Sequence, residues 1–199
     1  MRRLHQAILI VSTVVGSWLG MQAVHESGHV VAAWMTGGRV VRVVLHPLTI
    51  SRTDLADNPH PLAVVWAGPV IGVLLPLFLW LGAAGLRMPG AFVLRFFAGF
   101  CLLANGAYLA AGSFFGIGDC GVMLRCGSSP WQLWLFGAAT IPAGLWLWHR
   151  QGEHFGLGRA AGPVSPGVAI ASAVLCGLLL GFGFWLSWAF VPGVLRIAR

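Results

Sequence analysis

Long apolar runs alternate with short polar connections along the chain. An α-helix rises ~1.5 Å per residue, so about 20 apolar residues cross the ~30 Å hydrocarbon layer of a bilayer. Tryptophans stand at both ends of the fourth run, as they do at membrane–water interfaces. The pattern predicts an all-α membrane protein of about five transmembrane helices, at residues 7–34, 61–86, 96–116, 131–148 and 167–190.

The connection between the first two runs, residues 39–53, has a different pattern. It is rich in β-branched residues, contains Pro47 and partly alternates between apolar and polar positions, as in Leu48-Thr49-Ile50-Ser51. These features favour a short β-hairpin or strand pair at the membrane surface. An irregular interfacial loop is equally compatible with them.

The composition supports the membrane class. Of 199 residues, 58% are hydrophobic and only 9% are charged, whereas about 25% is usual in soluble domains. A soluble domain of this size would still need a polar surface. All 12 basic residues are arginines, scattered singly or in pairs between apolar runs. They suit helix ends at phospholipid headgroups, and nucleic-acid binding is not expected.

Two features of topology stay open in the sequence. Arginines divide evenly between the two sides of a five-span arrangement, so their count does not set the orientation. Arg2 and Arg3 before an apolar stretch also fit a signal peptide. Because apolar character continues through Val30 and Val31 to Trp34, we expect a retained first helix instead.

The strongest indication of a chemical function is the segment His25-Glu26-Ser27-Gly28-His29. On a helix, two histidines four residues apart share a face, so both imidazoles reach one metal ion. Glu26 is then placed to accept a proton from water at the metal. The composition gives roughly 0.002 chance occurrences of this pattern. A polar cluster satisfied by other helices without a metal is the structural alternative.

A catalytic zinc site needs a third protein ligand. Asp119 follows the third run, which is parallel to the first, so Asp119 and the histidine pair approach the same side of the bilayer. An aspartate that caps an interfacial loop is the alternative interpretation. Weaker ligand candidates are the other polar residues on that side, His46, His60, Asp54, Asp57 and Cys120.

Two further features lie within predicted helices. Asn105 is the one asparagine inside a run, and a buried amide needs a hydrogen-bonding partner. It would donate to a substrate carbonyl or its oxyanion, or bond a neighbouring helix. Ala67-Gly68-Pro69 permits close packing, and one use would be an approach to the histidine helix.

These motifs resemble those of the site-2 protease family of intramembrane zinc metalloproteases. The resemblance rests on His25-Glu26-Ser27-Gly28-His29, on Ala67-Gly68-Pro69 in the next run and on Asp119 after the third. It covers about residues 7–124. It implies that His25, His29 and Asp119 bind Zn²⁺, that Glu26 is the catalytic base and that residues 39–53 form an edge strand near the site. The family's aspartate usually ends a proline-rich stretch in Leu-Asp-Gly, whereas this chain has Gly-Asp-Cys.

The sequence therefore predicts a zinc-dependent endopeptidase that cleaves a membrane protein substrate in or near a transmembrane segment. We expect residues 1–124 to form a three-helix catalytic core and residues 125–199 to add two helices within one membrane domain. The compact chain without lysine suggests a bacterial inner membrane. The alternatives are a metal transporter, which would repeat its ligands along a path, and an inactive membrane scaffold.

Overall fold

The computed structural model describes residues 2–158 and 162–189, and these are mostly helical. Six α-helices, two β-strands and one 3₁₀ turn follow one another in the described ranges. In chain order they are α1 (Arg2–Met35), β1 (Arg39–Val44), β2 (Arg52–Asp57), α2 (Pro61–Gly85), α3 (Ala91–Phe115), α4 (Gly118–Arg125), α5 (Pro130–Trp148), the 3₁₀ turn (Gln151–Phe155) and α6 (Pro166–Ala189).

Within the described residues, four helices are long and apolar enough to cross a membrane. They correspond to the first, second, third and fifth predicted spans, as Arg3–Met35, Pro61–Gly85, Ala91–Phe115 and Pro166–Ser187. The fourth predicted span is the helix α5, but it is not among these four, so the count of five is not confirmed. Its tryptophans and Gln132 lower its hydropathy. The predicted end of the fifth span, Phe190, lies outside the described residues.

Local sequence signals account for the helix ends. Pro61 lies in the first turn of α2, where its missing N–H leaves no hydrogen bond unmade. The side chain of Gln132 turns back in α5 and accepts a hydrogen bond from the backbone N–H of Ser129 at 2.8 Å. Gly116 ends α3 in the left-handed region at φ 60°, which favours glycine.

Helix α1 packs against α2, α3 and α6, and α3 packs against α2 and along α5. Small residues allow these approaches. In the α1–α2 contact, a Cβ on Gly28 would collide with the backbone carbonyl of Ala67. The predicted close approach of Ala67-Gly68-Pro69 to the histidine helix is therefore confirmed.

Residues 39–57 form an antiparallel hairpin, which confirms the predicted strand pair. Val43 is opposite Thr53, and Arg42 is opposite Asp54. The Arg42 guanidinium donates two hydrogen bonds to Asp54 Oδ2, at 2.8 and 3.0 Å. This cross-strand pair stabilises the register of the hairpin where β2 passes close to α1.

Candidate metal and catalytic site

The two histidines of the motif lie in the C-terminal half of α1 and are buried. Their Nε2 atoms are 3.1 Å apart, as one face of a helix allows for residues four apart. Two imidazole nitrogens thus approach a common point.

Each imidazole is fixed by a partner on its other nitrogen. His25 Nδ1–H donates to Asn105 Oδ1 at 2.7 Å, and His29 Nδ1–H donates to the backbone carbonyl of Val64 at 2.9 Å. The amide of Asn105 is itself oriented, because its nitrogen donates to the Cys101 carbonyl at 2.9 Å. With the proton on Nδ1, both Nε2 atoms present a lone pair.

Helix α2 forms the wall behind the two rings. A Cβ on Gly68 would collide with the His29 ring and would lie 3.0 Å from His25 Nε2. Glycine is therefore required at this position for the imidazoles to lie against the α2 backbone.

Asp119 completes the cluster from the first turn of α4. Its Oδ2 is 2.9 Å from His25 Nε2 and 3.4 Å from His29 Nε2. Burial raises the pKa of the Asp119 carboxyl, but the hydrogen bonds and positive charge that the two histidines supply when Nε2 also carries a proton outweigh burial and hold that pKa well below its usual range. Asp119 is therefore an anion at neutral pH.

The position of Asp119 is set by the packing of α4. Cys120 and Met123 are fully buried against Val65 and Leu109 of the neighbouring helices. The hydroxyl of Tyr108 accepts a hydrogen bond from the backbone N–H of Asp119 at 2.9 Å. These contacts hold a helix of only eight residues in place against α2 and α3.

Glu26 faces the hairpin. Its side chain is buried, and its Oε2 accepts a hydrogen bond of 2.7 Å from the hydroxyl of Thr53 in β2. The motif glutamate and the β-hairpin are thus in direct contact.

A cavity of about 800 Å³ joins these groups. Its polar lining includes the five residues that the sequence predicted for the site, His25, Glu26, His29, Asn105 and Asp119. Its apolar lining includes Trp18, Met21, Ile50, Leu55 and Val122. Its volume and its mostly apolar lining with a few convergent polar groups are typical of ligand and substrate sites.

The weaker ligand candidates lie elsewhere. Among the described residues, the group of side chains able to hold one metal ion consists of His25, His29 and Asp119. Asp54 pairs with Arg42, His46 packs edge-on against Phe184, and the thiol of Cys120 points to the Tyr108 carbonyl.

Thr53 and Tyr108 contact the site but were not singled out from the sequence. Tyr108 is the one tyrosine of the chain and lies within a predicted span, which is a usable signal. Thr53 has no such signal, because its role depends on the register of the hairpin.

The sequence model of a protein family described as Peptidase M50B-like matches residues 6–132, more than half of the chain. The match begins in α1 and ends in the first turn of α5. Comparisons with curated proteins and with solved structures give no match.

Proposed function

Because the chain belongs to the Peptidase M50B-like family, the site-2 protease family, we propose that it is an intramembrane zinc metalloprotease. The observation that carries this proposal is the meeting of His25 Nε2, His29 Nε2 and Asp119 Oδ2 beside Glu26 in one cavity. The substrate would be a transmembrane segment of another membrane protein.

The donor set fits zinc. Two imidazoles and a carboxylate are ligands of catalytic zinc, and tetrahedral bonds of about 2.0–2.2 Å put neighbouring donor atoms roughly 3.3–3.6 Å apart. The donor distances of 2.9, 3.1 and 3.4 Å are close to this range. Three electron-pair donors at such distances repel one another unless a cation or a proton lies between them. When bound, zinc would polarise the scissile carbonyl and make a water molecule more acidic.

Side chains of the protein would supply the proton transfer and the orientation that the reaction also needs. Glu26 would accept the proton of the attacking water and deliver it to the leaving amine. Asn105 would orient His25 through its Oδ1. The bond to His25 is the contact with a neighbouring helix that was one of the two uses predicted from the sequence. For the other use, the amide nitrogen carries two N–H groups, one of which donates to Cys101, and the second would serve the substrate carbonyl.

The hairpin suits an unwound substrate. Peptide carbonyls in a helix are hydrogen-bonded, so a transmembrane substrate must be locally extended before cleavage. Arg52, Thr53 and Leu55 of β2 line the cavity, and pairing with this strand would hold an extended segment. The apolar lining would receive its side chains. A bacterial inner membrane remains the proposed location.

The test compares zinc content and cleavage in four purified proteins: the wild type, His25→Ala, Asp119→Ala and Glu26→Gln. We expect about one zinc per chain in the wild type and in Glu26→Gln, and its loss in the two ligand variants. Cleavage of a transmembrane reporter peptide in proteoliposomes should require both zinc and Glu26.

Other outcomes would point to the rival functions. Zinc binding without cleavage of a panel of transmembrane peptides would favour a scaffold, and zinc flux into vesicles would favour a transporter. A wild-type protein that binds no zinc after resupply would exclude the proposed activity.

A further inference from the structure

Thr53 is the hairpin residue that contacts the motif glutamate. Its Oγ1 donates to Glu26 Oε2 at 2.7 Å, and Glu26 is only 3% exposed. Among the side chains of residues 2–158 and 162–189, Thr53 is the one that donates a hydrogen bond to the Glu26 carboxylate. The hairpin thus holds one of the two carboxylate oxygens, Oε2.

Several contacts fix Thr53 without involving the site. Thr53 is opposite Val43 in the ladder, next to the Arg42–Asp54 pair. The start of the hairpin is tied to α1 by the hydrogen bond of 2.7 Å from Gly38 N–H to the Ala33 carbonyl. The Thr53 hydroxyl is therefore held on a strand whose position is determined elsewhere.

We propose that Thr53 is a positioning residue for Glu26, an inference that rests on the proposed protease activity. Its hydroxyl holds Oε2 and thereby fixes the carboxylate with Oε1 toward the attacking water. As the new C–O bond forms, one water proton moves to Oε1, and it passes to the amine nitrogen when the C–N bond breaks. Thr53 donates the same hydrogen bond throughout and exchanges no proton.

This role would link substrate binding to proton transfer by Glu26, because both depend on the strand β2. The strand proposed to pair with the substrate, β2, also carries the hydroxyl that aligns the base. A substrate that displaces β2 would misalign Glu26, whereas one that extends the sheet without displacing it would leave the base aligned. Selection between substrates would then appear in kcat as well as in KM.

The test uses Thr53→Val, which keeps the shape of the side chain but not the donor, and Thr53→Ser, which keeps the donor. Thr49→Val is the matched control, since Thr49 is exposed in the same hairpin. For cleavage of the reporter peptide, we expect Thr53→Val to lower kcat about 10- to 100-fold with KM and zinc content unchanged. Thr53→Ser and Thr49→Val should stay within about threefold of the wild type.

A second measurement does not depend on activity. Amide hydrogen exchange of residues 52–57 should speed up in Thr53→Val and in Glu26→Leu, and the double variant should exchange no faster than either single variant. In Glu26→Gln, which keeps an acceptor oxygen, exchange should remain as in the wild type.

The outcomes separate this inference from the proposed function. Wild-type cleavage that requires Glu26 but is unaffected by Thr53→Val would overturn the inference and leave the protease standing. A raised KM at constant kcat would make Thr53 a substrate contact, and equal loss in Thr53→Ser would make it a packing residue. Equal cleavage by the wild type and Glu26→Gln would overturn both proposals.

Discussion

At the scale of single residues, the cluster of His25, His29 and Asp119 depends on atoms that do not face the proposed metal position. The lone pairs of both Nε2 atoms are available because each Nδ1–H has an acceptor. One acceptor is a backbone carbonyl, which substitution cannot remove, and the other is the side chain of Asn105. The orientation of His25 is therefore the part of the cluster most open to a mutational test.

We predict that Asn105→Leu weakens zinc binding about 10- to 100-fold, because His25 loses the acceptor that sets its tautomer and ring orientation. Competition titration with a chromogenic chelator measures the change in Kd. Thr140→Val is the control, since it removes a buried hydroxyl that donates to the Phe136 carbonyl of its own helix and contacts no ligand. An unchanged Kd in Asn105→Leu would show that Asn105 does not position His25.

At the scale of secondary-structure elements, two helix contacts determine where the site residues lie. Helix α2 supports the imidazoles through Gly68, and α6 supports the hairpin through Gly183, where a Cβ would lie 2.6 Å from the Leu45 carbonyl. The first contact concerns the proposed metal ligands, and the second concerns the strand that carries Thr53. Their substitutions should therefore have different consequences.

Gly68→Ala should abolish or severely weaken zinc binding, because the new Cβ would occupy the position of the His29 ring. The matched control is Gly82→Ala in the same helix, where a Cβ meets nothing within 4 Å and alanine favours the helix. Zinc content and Kd of the two purified variants measure the contrast. Full zinc binding in Gly68→Ala would contradict the close approach of α2 to the rings.

Gly183→Ala should shift the hairpin and leave the proposed metal ligands in place, since these belong to α1 and α4. We expect faster hydrogen exchange in residues 39–57 and a lower rate of cleavage, at unchanged zinc content. Gly181→Ala is the matched control, because a Cβ there meets nothing within 4 Å. Equal exchange in the two variants would show that α6 does not hold the hairpin.

At the scale of the whole molecule, the sequence predicted the helices better than their relation to the membrane. Apolar runs fix where the long helices lie, because a bilayer requires about 20 apolar residues for each span. The same criterion leaves α5 undecided: its tryptophans suit an interface and lower its hydropathy, so the predicted count of five spans is not confirmed.

The site residues were predictable where a polar or ionisable side chain is unusual for its position in an apolar segment. Two histidines and a glutamate on an apolar helix stand out, and Asp119 follows from the direction of α3. The contact of Thr53 with Glu26 was not predictable, because a shift of one residue in the ladder would turn its side chain to the other face. The register of the two strands cannot be predicted from the local sequence pattern alone.

The cluster also joins parts of the molecule that are distant along the chain. His25 and Asp119 lie 94 residues apart, and α4 is a short helix between two turns. Zinc bound to both would add a cross-link between α1 and α4 in the folded state, and a ligand of the native state raises stability by about 2.7 kcal/mol at 100 times its Kd. We therefore expect zinc to raise the unfolding temperature of the detergent-purified protein, and a chelator to lower it.

The cross-link also predicts where this stability resides. Removal of zinc should speed hydrogen exchange in residues 118–125 more than in α5. The first turn of α4 carries Asp119, whereas α5 contributes no residue to the cluster. In His25→Ala, neither zinc nor the chelator should change the unfolding temperature or the exchange of α4. Equal shifts in the wild type and His25→Ala would mean that zinc acts at another place, and the cluster would then be a hydrogen-bonded group that holds α1 and α4 together without a metal.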